Sequence, residues 1–406
     1  MKAVLADLST PRYLWTAAAG KVKSDAGWGP GGLMRLADVR EPALPKADGW
    51  VRIKPELSGI CGSDVGLAHA KSSFVMSAFY AESKAIPGHE LVGVVTDGSL
   101  EGQRVVLDPI ISCVHRGFEP CRTCREGRPY ACERFDEAGI TGCHAPGQGF
   151  SDAVGGGWGE SLVAHESQCI PIGDVPSKRA VLAEPASIGL HAALQWKRTG
   201  DRVVVIGPGT IGLLVTAALR MLHPDLDIAM VSPGEFGSQR ALEAGATRIL
   251  PTGAGAVEEL AASDGGRVVR PRMTKVPILE QGVDAVFDCV GYPDTIDLAL
   301  HILRPGGMLV LVGAAGKQSV DWSLVWSREL TVQGTINSGP EPALGGRRTM
   351  EQVAEWLADP AYLVDGLVTH TYSLDEWQQG LTTASAGPKD QAVKVTLRPN
   401  ADLPLL

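Results

Sequence analysis

The feature that most constrains this chain is the run Val203-Val-Val-Ile206, followed at once by Gly207-Pro-Gly-Thr-Ile-Gly212 and a helix-compatible stretch from Thr210 to Leu222. A continuous β-branched run indicates a strand buried on both faces, the situation of a parallel sheet covered by helices. The pattern G-x-G-x-x-G between strand and helix has a physical reading at each glycine. Gly207 permits the tight turn, Gly209 lets the backbone approach a pyrophosphate, and Gly212 lets helix pack on strand. Thr210 and Ile211 open the helix, whose unpaired N–H groups face the phosphates. In a chain with 49 glycines the triplet alone is weak. The strand before it and the helix after it carry the dinucleotide-binding reading.

The same alternation continues through Ile228-Ala-Met-Val231, Asp284-Ala-Val-Phe-Asp-Cys-Val-Gly291 and Arg304-Pro-Gly-Gly-Met-Leu-Val-Leu-Val-Gly313. The ends of the last two strands, Val290, Gly291, Val312 and Gly313, are expected beside the nicotinamide. An acidic residue at the tip of the second strand would bind the ribose 2′-hydroxyl. That tip is Val231-Ser232-Pro233, while Asp225 and Asp227 lie at the strand's other end. A hydroxyl at Ser232 removes the charge that repels a 2′-phosphate, and Arg240 follows closely, so NADP is expected over NAD. The alternative is that Glu235 folds back onto the ribose and NAD is used.

Three zones differ in texture. Residues 1–187 hold short apolar strands broken by Gly and Pro, such as Val51-Arg-Ile-Lys54 and Leu91-Val-Gly-Val-Val95. Residues 188–336 form the strand-helix zone, and 337–406, with one clear helix at Thr349–Ala358, return to the first domain. A chain of 406 residues exceeds one hydrophobic core. All but one of its eight cysteines lie in the first zone, where metal binding comes before disulfides.

Within that zone stand Gly59-Ile-Cys61-Gly-Ser63-Asp64 and Pro87-Gly-His89-Glu90, with Glu184-Pro185 just before the strand-helix zone. Thiolate, imidazole and carboxylate are all zinc ligands, and three protein ligands with one open position define a catalytic site. Bound zinc lowers the pKa of a substrate hydroxyl, which favours loss of hydride from its carbon.

The order Cys-Gly-Ser-Asp, Gly-His-Glu, a cysteine cluster, Glu-Pro and then G-x-G-x-x-G resembles the medium-chain zinc-dependent alcohol and polyol dehydrogenases. Trp158-Gly-Glu160 and the terminal Lys394-Val-Thr-Leu397 also fit, so the resemblance covers nearly the whole chain. It implies an α/β protein with a GroES-like catalytic β-domain and a Rossmann doubly wound parallel sheet. It implies Cys61, His89 and Glu184 as zinc ligands, Glu90 as an exchangeable ligand, Ser63 as the residue that passes the substrate proton, and Asp64 as the partner that orients His89. Glu184, where simple alcohol dehydrogenases have cysteine, is similar to the glucose, sorbitol and threonine dehydrogenase-like branches. Many members carry a histidine where this chain has Gly66, so the proton relay ends in water or through His69. The implied reaction is hydride transfer between NAD(P) and an alcohol, polyol or carbonyl.

The resemblance also implies a structural zinc lobe at 113–132, giving two zinc ions per chain. The family spacing is C-x2-C-x2-C-x7-C, whereas this chain reads Cys113-x7-Cys121-x2-Cys124-x7-Cys132. The lead-in Arg104-Val-Val-Leu-Asp-Pro109 favours an insertion over a lost ligand. Free thiols, or His115 or Glu119 as a substitute ligand, are the alternatives. Cys143, Cys169 and Cys289 lack partners at useful spacing and are expected to be packing residues.

Net charge of −9 argues against nucleic acid as a partner. The basic run Arg267, Arg270, Arg272, Lys275 is expected to be a solvated loop. No stretch is long and apolar enough for a signal core or a membrane span, so a cytoplasmic homodimer or homotetramer acting on a small molecule is expected. Two segments exceed the family pattern. One runs from Asp7 to Leu33. The other, Lys71 to Lys84 with Phe74, Val75, Met76, Phe79 and Tyr80, either walls the substrate site against a small, fully polar polyol or makes a subunit contact. Two rivals remain: a zinc-free quinone or enoyl reductase of the same fold, and a non-enzymatic cofactor-binding protein.

Overall fold

The computed structural model describes residues 1–71, 82–274, 276–336 and 339–406. Phe74, Val75, Met76, Phe79, Tyr80 and Lys275 lie outside these. Two compact units emerge. One comprises Met1–Glu184, Gly339–Ala358 and Val368–Leu406, and the other Pro185–Ser338 and Asp359–Leu367.

The first unit begins with β1 (Lys2–Asp7), α1 (Thr10–Ala19), β2 (Met34–Asp38), β3 (Trp50–Ile60), α2 (Gly62–Ala68) and β4 (Lys84–Ala85). Next come β5 (Leu91–Asp97), β6 (Arg104–Leu107), α3 (Arg122–Arg125), β7 (Leu162–His165), β8 (Cys169–Pro171) and α4 (Ser177–Ala180). Helix α5 (Ala183–Gln195) then leads into the second unit. That unit holds β9 (Arg202–Ile206), α6 (Thr210–Leu222), β10 (Asp227–Val231), α7 (Glu235–Glu243), β11 (Arg248–Leu250) and α8 (Ala254–Asp264). It continues with the small pair β12 (Val268–Val269) and β13 (Ile278–Leu279), then β14 (Val283–Asp288), α9 (Pro293–Ile302), β15 (Leu303–Leu311), α10 (Ser323–Ser327) and β16 (Thr331–Gly334). Helix α11 (Thr349–Ala358), β17 (Val368–Ser373), α12 (Trp377–Ala386) and β18 (Lys394–Arg398) complete the first unit.

The second unit's sheet runs β11-β10-β9-β14-β15-β16, all parallel. This is the doubly wound dinucleotide-binding order. Its central strands are apolar throughout because helices cover both faces, and Val204, Ile206, Val231, Val286 and Leu309 are buried in one core. The edge strand β16 is exposed at every residue.

The first unit is built on a seven-stranded sheet, β17-β18-β3-β5-β6-β8 with β7 also on β3. The three-stranded β2-β1-β4 lies in the same unit. The extra N-terminal segment forms α1 and a turn that seats Trp28 in the core with Leu67, Ala68 and Trp377. A Cβ at Gly27 would lie 1.7 Å from the Ala68 carbonyl, so only glycine permits that approach to the end of α2.

One expectation needs correction. The chain beyond 337 does not return whole to the first domain, because Asp359–Leu367 packs with the second unit. There Tyr362 is fully buried, and Gly366 faces the Arg240 guanidinium so closely that a Cβ would sit 2.8 Å from it.

Candidate metal and cofactor sites

Sheet register assembles the first cluster. Strand β3 pairs antiparallel with β5, setting Ser58 opposite Leu91, and the Gly59 N–H donates to the Glu90 carbonyl at 2.8 Å. Cys61 and the Gly88-His89-Glu90 segment thereby come side by side. Strand β18 pairs on the other side of β3, with Val395 opposite Ile60, which delivers Lys394 to the same place. Gly88 holds φ +94°, a conformation that favours glycine, and a Cβ there would meet the buried Trp158 ring at 2.4 Å. Trp158 in turn donates from Nε1 to the Gly59 carbonyl at 3.1 Å.

Cys61, His89 and Glu90 place one ligand atom each within 4.8 Å of one another. Glu184, which the sequence names as a ligand, does not join this tight group but stands half-buried in the first turn of α5 and acts electrostatically on His89. Burial pushes its carboxyl up to about 7, against the pull of His89. The His89 ring stacks on Phe150, with centroids 5.4 Å apart. Its Nδ1 lies 4.0 Å from the Asp64 carboxylate and, though buried, makes no hydrogen bond. Burial opposes protonation of His89, yet Asp64, Cys61 and Glu184 outweigh it and hold the pKa well above the usual value. Burial likewise raises Asp64, whose Oδ2 accepts from the Cys61 N–H at 2.9 Å.

Lys394 was not singled out from the sequence as a site residue. Its Nζ donates to both Glu90 oxygens, at 2.7 and 2.6 Å, and to the Ile60 carbonyl at 3.2 Å, with both side chains almost fully buried. A lysine between the apolar neighbours Val393 and Val395 was the available signal, since lysine is almost never buried unpaired. The other candidates near α2 separate. Ser63 is exposed in the first turn, whereas the His69 ring meets Ser385 Oγ at 3.2 Å and the edge of Trp28.

The second cluster is local. The sulfurs of Cys113, Cys121, Cys124 and Cys132 all lie within 4.8 Å of one another, and Cys113 and Cys132 are 3.5 Å apart without a bond. A tetrahedral zinc with Zn–S bonds of about 2.3 Å requires sulfurs about 3.8 Å apart, so the cage has the right size. Burial acts against the Cys121 thiolate, but the Thr123 hydroxyl and the N–H groups of Glu133 and Cys124 bring its pKa down to about 6. His115 and Glu119 stand outside the four-sulfur group, with His115 engaged by Ser112 and Ser167. Cys143, Cys169 and Cys289 are free thiols, the first two buried.

In the second unit, Gly207 holds φ +99° directly after β9, and a Cβ on Gly212 would lie 1.9 Å from the Gly207 carbonyl. Gly209, preceding Thr210 and Ile211 at the start of α6, has open space around it. That opening suits a phosphate at a helix N-terminus. The ends of β14 and β15 meet, since a Cβ on Gly313 would touch Val290 at 2.3 Å. Asp288 ties this corner together, accepting from the N–H groups of Val290 (2.9 Å) and Gly291 (3.1 Å) and the Thr295 hydroxyl (3.0 Å). Its carbonyl also accepts from Val312 and Gly313.

Arg240 departs from expectation. It sits in the last turn of α7, paired with Glu243 at 2.9 Å and over the Phe236 ring. These partners lie on its own helix, so a 2′-phosphate would compete with Glu243 for the guanidinium. Ser232 is buried at the tip of β10 and donates to the Gly234 carbonyl at 3.0 Å, while Glu235 is exposed at the start of α7.

Comparison with known proteins agrees with both halves. Residues 47–174 match the alcohol dehydrogenase GroES-like domain, and residues 210–359 match the zinc-binding dehydrogenase domain. The chain is 29% identical over 383 residues to the erythritol/L-threitol dehydrogenase of Mycolicibacterium smegmatis, covering 90% of this chain and 94% of that one. The solved 2R,3R-butanediol dehydrogenase of Bacillus subtilis is 25% identical with a TM-score of 0.69, covering 90% and 96% of the two chains. Galactitol-1-phosphate dehydrogenase from Escherichia coli shares the fold, at 22% identity and a TM-score of 0.70, covering 98% and 100%.

These matches define a zinc-binding, NAD(P)-linked dehydrogenase with a GroES-like domain and a Rossmann sheet. The chain belongs to the medium-chain zinc-dependent polyol and alcohol dehydrogenase family, whose reaction is hydride transfer between an alcohol and its carbonyl. Among the described residues no helix is long and apolar enough to cross a membrane.

Proposed function

We propose that the protein interconverts a secondary alcohol and its ketone with catalytic zinc held by Cys61, His89 and Glu184. The observation that carries this reading is the convergence of thiol, imidazole and carboxylate at Cys61, His89 and Glu90, with Glu184 acting on the same histidine. The donor set suits zinc, and a cation there would offset the burial penalty on Glu184. When bound, zinc supplies Lewis-acid polarisation of the substrate oxygen.

The chain's own groups do the rest. Asp64 faces His89 Nδ1 at 4.0 Å and would help orient the ring as a ligand. Lys394 binds both Glu90 oxygens and so offsets the charge of a carboxylate that would be available as an exchangeable ligand. Ser63 takes the substrate proton. Because His69 is occupied by Ser385 and Trp28 and Gly66 has open space beside it, water completes the relay.

Gly207, Gly209, Thr210, Ile211 and Gly212 bind the pyrophosphate, and Val290, Gly291, Val312 and Gly313 line the nicotinamide. The case for NADP over NAD now rests on Ser232 alone. Cys113, Cys121, Cys124 and Cys132 hold a second, structural zinc. The domains are a catalytic one of residues 1–187 with most of 337–406, and a cofactor-binding one of 188–336. We further propose a cytoplasmic homodimer or homotetramer, to which the fully exposed strand β16 offers a free sheet edge. The erythritol/threitol and butanediol relatives favour a substrate whose carbinol neighbours a second hydroxyl. Nicotinamide absorbance across a panel of diols, polyols and simple secondary alcohols tests this. Turnover confined to diols and polyols supports the assignment, and turnover of simple alcohols alone refutes the substrate class.

A further inference from the structure

The chain from Pro146 to Trp158 forms a ledge against the segment that carries His89. Its near end is fastened to the lead-in of the cysteine lobe. There the Ile111 N–H donates to the Pro146 carbonyl at 2.8 Å, and the Gln148 N–H to the Pro109 carbonyl at 3.0 Å. Its far end is fastened to the His89 segment itself, where the Gly157 N–H donates to the Gly88 carbonyl at 2.7 Å and the Trp158 N–H to the Pro87 carbonyl at 2.9 Å. Between these ends the Gly149 N–H closes the loop on the Gly155 carbonyl at 3.1 Å. A Cβ on Gly149 would stand 3.1 Å from the Gly88 carbonyl carbon and 3.2 Å from the His89 nitrogen, so backbone lies directly on backbone. That approach sets the next residue, Phe150, against the His89 ring.

The two rings lie 21° from parallel with centroids 5.4 Å apart, within the range of stacked aromatic pairs. Phe150 has a firm backing, since it packs on the core of Trp50, Ile111, Cys143 and Val163. The following residue is also tied, as Ser151 Oγ donates to Glu82 Oε1 at 3.1 Å. A metal-ligating histidine is ordinarily fixed by a hydrogen bond from its other ring nitrogen. At His89 the Nδ1 atom lies 4.0 Å from the Asp64 carboxylate, beyond hydrogen-bond reach. Asp64 therefore acts on His89 by charge, which varies slowly with distance and leaves the ring free to tilt. A flat contact on the ring face resists tilting. We propose that Phe150 is a positioning residue for His89, holding the imidazole plane ready for the metal beside Cys61. The proposal rests on reading Cys61 and His89 as metal ligands.

The test compares wild type, Phe150→Leu and Phe150→Tyr. It reads zinc affinity by competition with a colorimetric chelator, the absorption of cobalt(II) exchanged for zinc, and melting temperature. Subtracting the cobalt spectrum of Cys61→Ser leaves the catalytic site alone. A ring already in place gives up little freedom when a metal binds, so losing the stack should weaken binding. Phe150→Leu is expected to weaken binding of the ion that Cys61→Ser loses by about three- to tenfold, the worth of one aromatic stack, and to leave the other unchanged. Its cobalt bands should shift, because their position and intensity follow ligand geometry. Phe150→Tyr keeps the ring, so affinity and bands stay those of wild type even where the added hydroxyl lowers the melting temperature. A Phe150→Leu variant of lower melting temperature but wild-type affinity and bands overturns the proposal and leaves Phe150 a packing residue. A tyrosine variant that departs from wild type as far as the leucine variant overturns it too. Should Phe150→Leu not accumulate as folded protein, the imidazole NMR signals of metal-free wild type decide, assigned by their absence in His89→Asn. Ring-current shifts are expected for His89, and signals at the positions of an exposed histidine overturn the stack. Equal zinc in Cys61→Ser and wild type overturns the metal reading of the cluster. One ion fewer in Cys61→Ser, with wild-type binding in Phe150→Leu, overturns the positioning role alone.

Discussion

The glycine loop of the second unit and the catalytic cluster of the first solve opposite problems. The loop is contiguous: strand, turn and helix start bring Gly207, Gly209 and Gly212 together with no help from distant chain. The cluster draws Cys61, the His89-Glu90 pair and Lys394 from three separated segments, joined by the pairing of β3 with β5 and β18. A contiguous site fails locally when damaged. An assembled site with buried charges fails together with the sheet that assembles it.

Lys394→Met should be the largest disturbance, because it leaves the Glu90 carboxylate buried and unpaired. Losing one partner of a buried ion pair costs about 3–5 kcal/mol. The double variant Lys394→Met with Glu90→Gln should recover much of that in chemical denaturation. If the single variant unfolds at the wild-type midpoint, the pair is not what holds the strands at this corner.

The loop should behave differently. A side chain at Gly209 meets nothing within 4 Å, so Gly209→Asp should fold normally. It should weaken NAD(P)H binding about a hundredfold by setting a carboxylate against the pyrophosphate, in fluorescence titration. Gly212→Ala, whose Cβ would clash with the Gly207 carbonyl at 1.9 Å, should lower the melting temperature as well. Equal melting losses in both variants would erase the distinction between a ligand-facing and a packing glycine.

The smallest effect is expected at Ser232. Ser232→Asp should move the ratio of kcat/KM for NADP over NAD toward NAD by about tenfold, the worth of one hydrogen bond to a charged group. Arg240→Ala should leave the ratio unchanged, because Arg240 already pairs with Glu243. A ratio that collapses in Arg240→Ala would restore that residue to the cofactor site.

The same contrast explains what was legible from the residues alone. Strand β9, helix α6 and the glycine loop follow from periodicity and spacing, because their interactions are local. The cysteine cage was likewise visible, because its four thiols lie within one short stretch of chain. Cys61, His89 and Glu184 were named as ligands through their order along the chain, which carries no distances. The tight grouping of Glu90 rather than Glu184 with Cys61 and His89 depends on β-sheet register. Lys394 escaped for the same reason. The Arg240–Glu243 pair was not legible either, because position after a strand fixes where a helix starts, not which neighbour its arginine chooses.

The central claim is that one unit carries two metal sites of different kind, an assembled catalytic site and a local structural one. Metal analysis of the purified protein with its Cys61→Ser and Cys124→Ser variants tests it most directly. Two zinc ions per chain are expected in the wild type and one in each variant. Cys61→Ser should lose at least about a thousandfold in turnover at an unchanged melting temperature, since Lewis-acid stabilisation is worth several kcal/mol. Cys124→Ser should lose melting temperature first. A wild type without zinc, or a Cys61→Ser variant that keeps both its metal and its turnover, would contradict the account.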